Sequence, residues 1–346
     1  MTEPIGQSAD MQALVVRHAG YACAGAETGS NDVVDLVAVQ RIAVPRPGPG
    51  QVLVRVALSP VNPSDLLYIA GTYGQPRARG TPAGFEGTGV VVEDGDAQAG
   101  ALLGRRVSFL AGASGAWADY ALADATSCVP APDGLREEDA AALLVNPLTA
   151  MAMIDIVVQS GSPAVVLTAA ASQLGRMLLA LARERGIAAL AVLRRPDDAA
   201  QLRALGAQEV LVSGAPEFAA QLGAALRAHK PRALLDAVGD QHSADIFVAM
   251  PSHSRWIAYG MLAASGPCLP DTRPFVFQAK RIEGFWLSRW LRAAAPVLRE
   301  RTTRDVHRHF LDGSWRTQVA ARVALADALE RLPAALALPG KVLLVP

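Results

Sequence analysis

Tyr73 lies in a glycine-flanked loop, GTYG (71–74), and is by type the side chain best suited to proton chemistry on an oxygen. A phenol with a pKa near ~10 stays protonated at neutral pH, so it can hydrogen-bond to an enolate-like oxygen or protonate it as negative charge develops. The same setting would also suit a tyrosine that only packs, with its hydroxyl in water. Tyr68, one helical turn earlier, reads as structural. Asn62 heads an Asn-Pro turn in VNPSD (61–65), where its carboxamide could organise the backbone.

A second set of residues has the chemistry of phosphate binding. In VVLTAAASQLGRMLLALARERG (165–186) a strand runs through a small-residue turn into a helix with Leu174, Leu178 and Leu181 on one face. Small residues let the backbone approach a pyrophosphate, which the free N–H groups and dipole of the helix N-terminus then stabilise. Ala169, Ser172 and Gly175 stand at the three positions of an altered glycine fingerprint, and Ser172 could donate its hydroxyl. Ala170, Ser172, Gln173, Leu174 and Gly175 are the expected contacts there. An ordinary strand–helix turn looks similar, so the decision rests on the residues just beyond the next strand. There, in AVLRRPDD (191–198), Arg194 and Arg195 replace the acid that usually reads the ribose hydroxyls of NAD. Two guanidinium groups complement a 2′-phosphate, and NADPH is the cofactor this predicts. The plainer alternative is a solvated loop whose arginines Asp197 and Asp198 neutralise.

Composition removes several other classes of function. Lys plus Arg equals Asp plus Glu at 32 each, so no bulk field draws the 346-residue chain to nucleic acid or an anionic membrane. Small-molecule partners are expected. Cys23, Cys128 and Cys268 are too scattered for a disulfide framework or a four-cysteine zinc lobe, and a reducing cytoplasm fits. His307 and His309, two apart, would point to different helix faces. The polar start MTEPIGQSADMQ has no leader-like apolar core, and no later run approaches ~20 apolar residues. These features predict a soluble, untargeted protein.

The elements that must hold these residues change texture twice. From about 11 to 125 short strands alternate with Pro and Gly, as in QVLVRVALS (51–59). From about 136 the chain turns helical, then settles into strand–helix alternation, with strands expected at AVVLTA (164–169), AALAVL (188–193), EVLV (209–212), ALLDAV (233–238) and RWIAYG (255–260). Such alternation predicts a parallel, doubly wound sheet. After about 285 more helix leads to a terminal strand, GKVLLVP, assigned to the first domain. The expected division is therefore 1–144 with 285–346 as the β-rich catalytic domain, and 145–284 as an inserted cofactor domain.

VNPSD, GTYG, PAGFEGTGVV (82–91), GAWADY (115–120), VNPLTA (145–150), the AAASQLG turn and the final GKVLL occur in the order of landmarks of the medium-chain dehydrogenase/reductase superfamily, which the chain resembles over nearly its whole length. Within it, NPSD followed by GTYG, NPLTA, LLDAVG (234–239) and RIEGFWLSRW (281–290) most resemble the mitochondrial-type trans-2-enoyl thioester reductases; the quinone oxidoreductases share fewer of these. The resemblance implies an α/β chain with a GroES-like catalytic domain and an inserted Rossmann domain. It also implies no metal, since Asn62 and Phe85 stand where zinc-dependent relatives place cysteine and histidine.

By resemblance Tyr73 is the catalytic acid or hydrogen-bond donor, and Asn62 lies beside nicotinamide and substrate. The implied cofactor contacts add Asn146, Thr149, Tyr259, Gly260, Met261, Phe285, Trp286, Leu287 and Lys341 to the turn and the arginine pair. Asn146 and Thr149 also suit plain capping, and Phe285 and Trp286 a core or an acyl pocket wall. Asp65 and Glu86 read as architectural acids in need of a partner. Arg77, Arg79, Arg289, Arg292 and Arg299 could attract coenzyme A phosphates or an acidic acyl carrier protein, but solvated faces are the preferred reading. A homodimer through the cofactor domains is implied, with RWIAYG and segment 261–277 at its edge.

The activity this implies is NADPH-dependent hydride transfer to the β-carbon of an α,β-unsaturated carbonyl compound, foremost a 2-enoyl thioester. Reduction of quinones or simple enones, and a non-catalytic NADPH-binding sensor or interaction protein, are the alternatives.

Overall fold

The computed structural model describes residues 9–22, 32–96, 100–112 and 114–346. The polar start before residue 9, and Cys23, lie outside the described residues. In chain order the elements are β1 (Asp10–Val16), α1 (Val33–Leu36), β2 (Val37–Ala43), β3 (Gln51–Pro60), α2 (Pro63–Ala70), β4 (Glu86–Asp94), β5 (Arg106–Leu110), β6 (Tyr120–Asp124), β7 (Cys128–Pro130) and α3 (Glu137–Ala141). Next come α4 (Val145–Gln159), β8 (Ala164–Leu167), α5 (Gln173–Glu184), β9 (Ala188–Leu193), α6 (Ala199–Leu205), β10 (Ala207–Val212), α7 (Phe218–His229), β11 (Ala233–Asp236), α8 (Gln241–Ala249) and β12 (Arg255–Ala258). The chain closes with α9 (Arg273–Gln278), β13 (Arg281–Gly284), α10 (Leu287–Ala293), α11 (Pro296–Leu311), β14 (Val319–Ala324), α12 (Ala328–Leu336) and β15 (Lys341–Val345). Two compact units result, Met1–Val145 with His307–Pro346, and Asn146–Val306. The crossover expected at 284/285 marks the end of β13, and the second unit continues through α10 into α11.

The first unit is built on a sheet of order β14-β15-β3-β4-β5-β7, with β6 also on β3. The alternation in β3 places Val52, Val54 and Val56 against Val91, Val107 and Phe109. Its other face is apolar in part as well: Leu53 packs with Met11, Ala13 and Val15, while Arg55 is exposed. The terminal strand returns as expected, β15 pairing antiparallel with β3 and parallel with β14.

The second unit is a six-stranded parallel sheet of order β10-β9-β8-β11-β12-β13, with the doubly wound switch point between β8 and β11. Its inner strands are short apolar runs, buried throughout in β8 and β11, as strands covered on both faces must be. The five expected strands are all present, each starting within two residues of its expected position. RWIAYG, however, is not the edge: β12 lies between β11 and β13. The outer strand, RIEG, reads as polar because an edge strand has one neighbour and tolerates Arg281 and Glu283. Glu283 Oε1 accepts from Arg255 Nε at 2.6 Å, a cross-strand pair between β13 and β12. Among the described residues no helix is long and apolar enough to cross a membrane.

Candidate functional site

In the first unit the polar residues of the sequence patterns converge on the start of α2. Asn62 is its N-cap and Pro63 its first residue, so the missing proline N–H falls where no helical partner exists. Asn62 N donates to Asp65 Oδ2 at 2.7 Å, and Phe85 N to Asp65 Oδ1 at 2.9 Å. The Asn62 carboxamide is held at both ends: Nδ2 donates to Glu86 Oε1 at 2.9 Å, and Lys341 Nζ donates to Oδ1 at 2.6 Å. Glu86 Oε2 accepts from the N–H groups of Leu144 (3.1 Å) and Val145 (2.9 Å). Asn62, Asp65, Glu86 and Lys341 are all buried. Asp65 and Glu86 are thus answered by backbone N–H groups and the Asn62 carboxamide, with the attraction of Lys341, brought in by β15, acting on both.

Burial dominates the electrostatics. Loss of water pushes the Asp65 carboxyl up to about 7, with the neighbouring Glu86 adding in the same direction. It also raises Glu86, against the hydrogen bonds from Val145 and Asn62, and lowers Lys341, against the attraction of Glu86 and Asp65.

The turn that delivers Phe85 and Glu86 depends on Gly84, whose φ of +91° and contact with the Trp117 ring leave no room for a Cβ. Phe85 then packs between two tyrosines with its ring tilted to both, its centroid 5.3 Å from Tyr68 and 5.0 Å from Tyr73. Tyr68 is buried and its hydroxyl accepts from Ala78 N, a structural role. Tyr73 is half-buried in the turn that follows α2. Arg77 corrects the solvated reading: it is buried, its Nε on the carbonyl of Gly20 and Nη1 on that of Ile69. Arg79 is exposed.

In the second unit the turn after β8 is tight and leads directly into the N-terminus of α5. Ala169 adopts φ +47°, a left-handed conformation that costs a non-glycine residue about 1–2 kcal/mol. Ser172 is the N-cap of α5, its Oγ accepting from Gly175 N at 3.0 Å, which leaves the hydroxyl proton to donate elsewhere. A Cβ on Gly175 would lie 2.6 Å from the Ala170 carbonyl oxygen, so helix and strand approach too closely for any side chain. Ala170 is buried, and Gln173 and Leu174 are half-buried in the first turn of α5.

Arg194 and Arg195 are exposed beyond β9. Arg195 pairs loosely with Asp197 at 3.4 Å, whereas Asp198 is taken by Arg176 at 2.8 Å. Arg176 is not singled out by any pattern in the sequence.

The C-terminal ends of β8, β11 and β12 are tied by another residue that the patterns did not single out. Buried Asp236 accepts from Thr168 Oγ1 (2.6 Å), Ser243 Oγ (2.9 Å), Trp256 Nε1 (2.8 Å) and the N–H groups of Val238 (3.0 Å) and Gly239 (3.1 Å). Its aspartate was legible only as part of LLDAVG. Tyr259 N donates to the Asp236 carbonyl, and burial beside Asp236 pushes the Tyr259 phenol up. Gly260 approaches the Ala237 backbone closely, and Met261 is exposed. Phe285 N donates to the Ala258 carbonyl at 2.8 Å. Trp286 caps α10, which begins at Leu287, and its ring lies 5.4 Å from the Arg292 guanidinium. Asn146 and buried Thr149 lie in the first turns of α4. Among the described residues no group of three or more His, Cys, Asp or Glu could hold a metal ion.

Comparison with known proteins adds to this geometry. Residues 48–133 match the alcohol dehydrogenase GroES-like domain. The mitochondrial enoyl-[acyl-carrier-protein] reductase of Bos taurus is 26% identical over 270 residues, 77% of this chain and 72% of its own. A crystal structure from Mesorhizobium loti, named as an NADPH:quinone reductase, is 43% identical, covers both chains completely and superposes with a TM-score of 0.93. A mycobacterial protein solved with NADPH is 25% identical over 97% of this chain and 100% of its own, with a TM-score of 0.77.

Proposed function

The chain belongs to the medium-chain dehydrogenase/reductase superfamily, and from that footing we propose that it is an NADPH-dependent oxidoreductase that reduces an activated C=C bond without a metal ion, foremost that of a trans-2-enoyl thioester. The observation that carries the reading is the buried Lys341–Asn62–Glu86 chain. At the position where metal-dependent relatives have a ligand, this protein has a carboxamide fixed at both ends, with an ammonium group as its cation.

The residues of the second unit fit the cofactor. The close approach at Gly175, the free hydroxyl proton of Ser172 and the N-terminus of α5 suit a pyrophosphate, and exposed Arg194 and Arg195 suit a 2′-phosphate. Phe285, Trp286, Leu287, Tyr259, Gly260, Met261, Asn146 and Thr149 are the candidates for the nicotinamide end. When bound, NADPH supplies the hydride. Tyr73 then holds and protonates the substrate oxygen or the adjacent carbon as charge develops. Asn62, fixed by Lys341 and Glu86, keeps the floor beside α2 rigid and polar.

A second reading, reduction of quinones or enones, is favoured by the full-length likeness to the Mesorhizobium loti protein. NADPH oxidation assayed side by side with crotonyl-CoA, a longer 2-enoyl-CoA, a free enone and a benzoquinone separates the two. Turnover of the thioesters is expected; turnover of quinone alone would replace the first reading with the second, and NADPH binding without any turnover would support a sensor.

Self-association through the second unit is part of the proposal. Among the described residues the outer strand β13 has an unpaired edge, and Phe277 (80% exposed) and Ile282 (45%) lie on or just before it.

A further inference from the structure

Arg176 lies in the first turn of α5, beside the turn after β8, and spends its guanidinium unevenly. Nε donates to the Ala171 carbonyl at 2.9 Å and Nη2 to Asp198 Oδ1 at 2.8 Å, while Nη1 is buried with no hydrogen-bond partner among the described residues. The side chain thus straps α5 to the loop between β9 and α6, the loop that carries Arg194 and Arg195. The two acids of that loop are treated differently. Asp197 and Arg195 are both 73% exposed, whereas Arg176 is only 17% exposed where it holds Asp198.

An acid beyond the second strand of such a unit reads the ribose 2′-hydroxyl and repels a phosphate placed there. Asp198 is an acid in the same loop, a few residues beyond the arginine pair, and Arg176 neutralises its charge. We propose that Arg176 is a specificity-determining residue: it pins and neutralises Asp198, which would otherwise repel a 2′-phosphate beside Arg194 and Arg195, and a small turn of its guanidinium would bring the unspent Nη1 out to that phosphate as a third donor. A buried cationic N–H without an acceptor is costly, and a phosphate oxygen would satisfy it. This role rests on the proposed NADPH preference and explains how a loop with as many acids as arginines can select an anion.

The test is calorimetric binding of NADPH, NADH and 2′,5′-ADP to the intact protein and to Arg176→Met, Asp198→Asn and the double variant. Arg176→Met keeps the aliphatic stem but exposes Asp198. It is expected to weaken NADPH and 2′,5′-ADP on the order of tenfold and to leave NADH unchanged or tighter. Asp198→Asn should keep the preference for NADPH, and adding it to Arg176→Met should restore part of the loss, because the repelling charge is gone. Equal weakening of NADPH and NADH in Arg176→Met, or no change in either, overturns the inference while NADPH preference in the unmodified protein stands. No preference for NADPH in the unmodified protein overturns both.

Discussion

Replacing Tyr73 by Phe removes one oxygen atom and leaves the packing on Phe85 intact. We expect kcat to fall on the order of a hundredfold with the affinity for NADPH unchanged, measured by steady-state kinetics alongside cofactor titration. Lys341→Met is the structural counterpart. It leaves Asn62 Oδ1 without its donor and two buried acids without a nearby cation, and should cost about 3–5 kcal/mol in urea unfolding. The same cluster sets a pH dependence. Asp65, up from 3.8 to about 7 in the folded state, binds more protons folded than unfolded between those limits, so its contribution to stability falls as pH rises through that window. Glu86, also raised, acts in the same direction. Urea unfolding between pH 4.5 and 7.5 (about the range of these shifts) should show that slope, and Asp65→Asn should flatten it. Of these residues, Asp65 and Glu86 were legible as architectural acids, and the backbone N–H groups of Asn62, Phe85, Leu144 and Val145 that donate to them hold the turns in place. The bond between Lys341 and Asn62 was not legible: the partners are 279 positions apart, and no local pattern ties an amine to a turn at that distance.

The element that most constrains the second unit is the turn between β8 and α5. Gly175→Ala would drive a methyl group into the Ala169 and Ala170 carbonyls, at 2.7 and 2.6 Å, and should lower the melting temperature and weaken NADPH binding at least tenfold by calorimetry. The strands around it were readable because buried parallel strands are short apolar runs. β13 was not, since pairing with β12 supplies what its own residues do not advertise. The helix face of α5 was read correctly for Leu178 and Leu181, which are buried. The fate of Arg176 on the same helix was not, because a long side chain can fold back on a turn that the helical repeat does not describe.

At the scale of the molecule, the two-texture chain with a returning C-terminal strand was legible from hydrophobic patterning, while the outermost strand of the inserted sheet had to come from the structure. Its open edge makes a direct prediction. Ile282→Lys together with Phe277→Asp should convert a dimer to a monomer in light scattering, with NADPH binding to the second unit retained.

The return of β15 also has a consequence for how the protein is made. The strand that completes the main sheet and the lysine that answers Glu86 and Asp65 are synthesised more than 250 residues after those acids. Until then the nascent first unit carries two carboxylates that can go inside only as neutral acids, and its sheet lacks the strand between β14 and β3. Vectorial synthesis therefore gives the inserted unit time to fold while the first still lacks β15. A chain broken off before residue 341 would be recognisable to a chaperone or protease by a centre that cannot close.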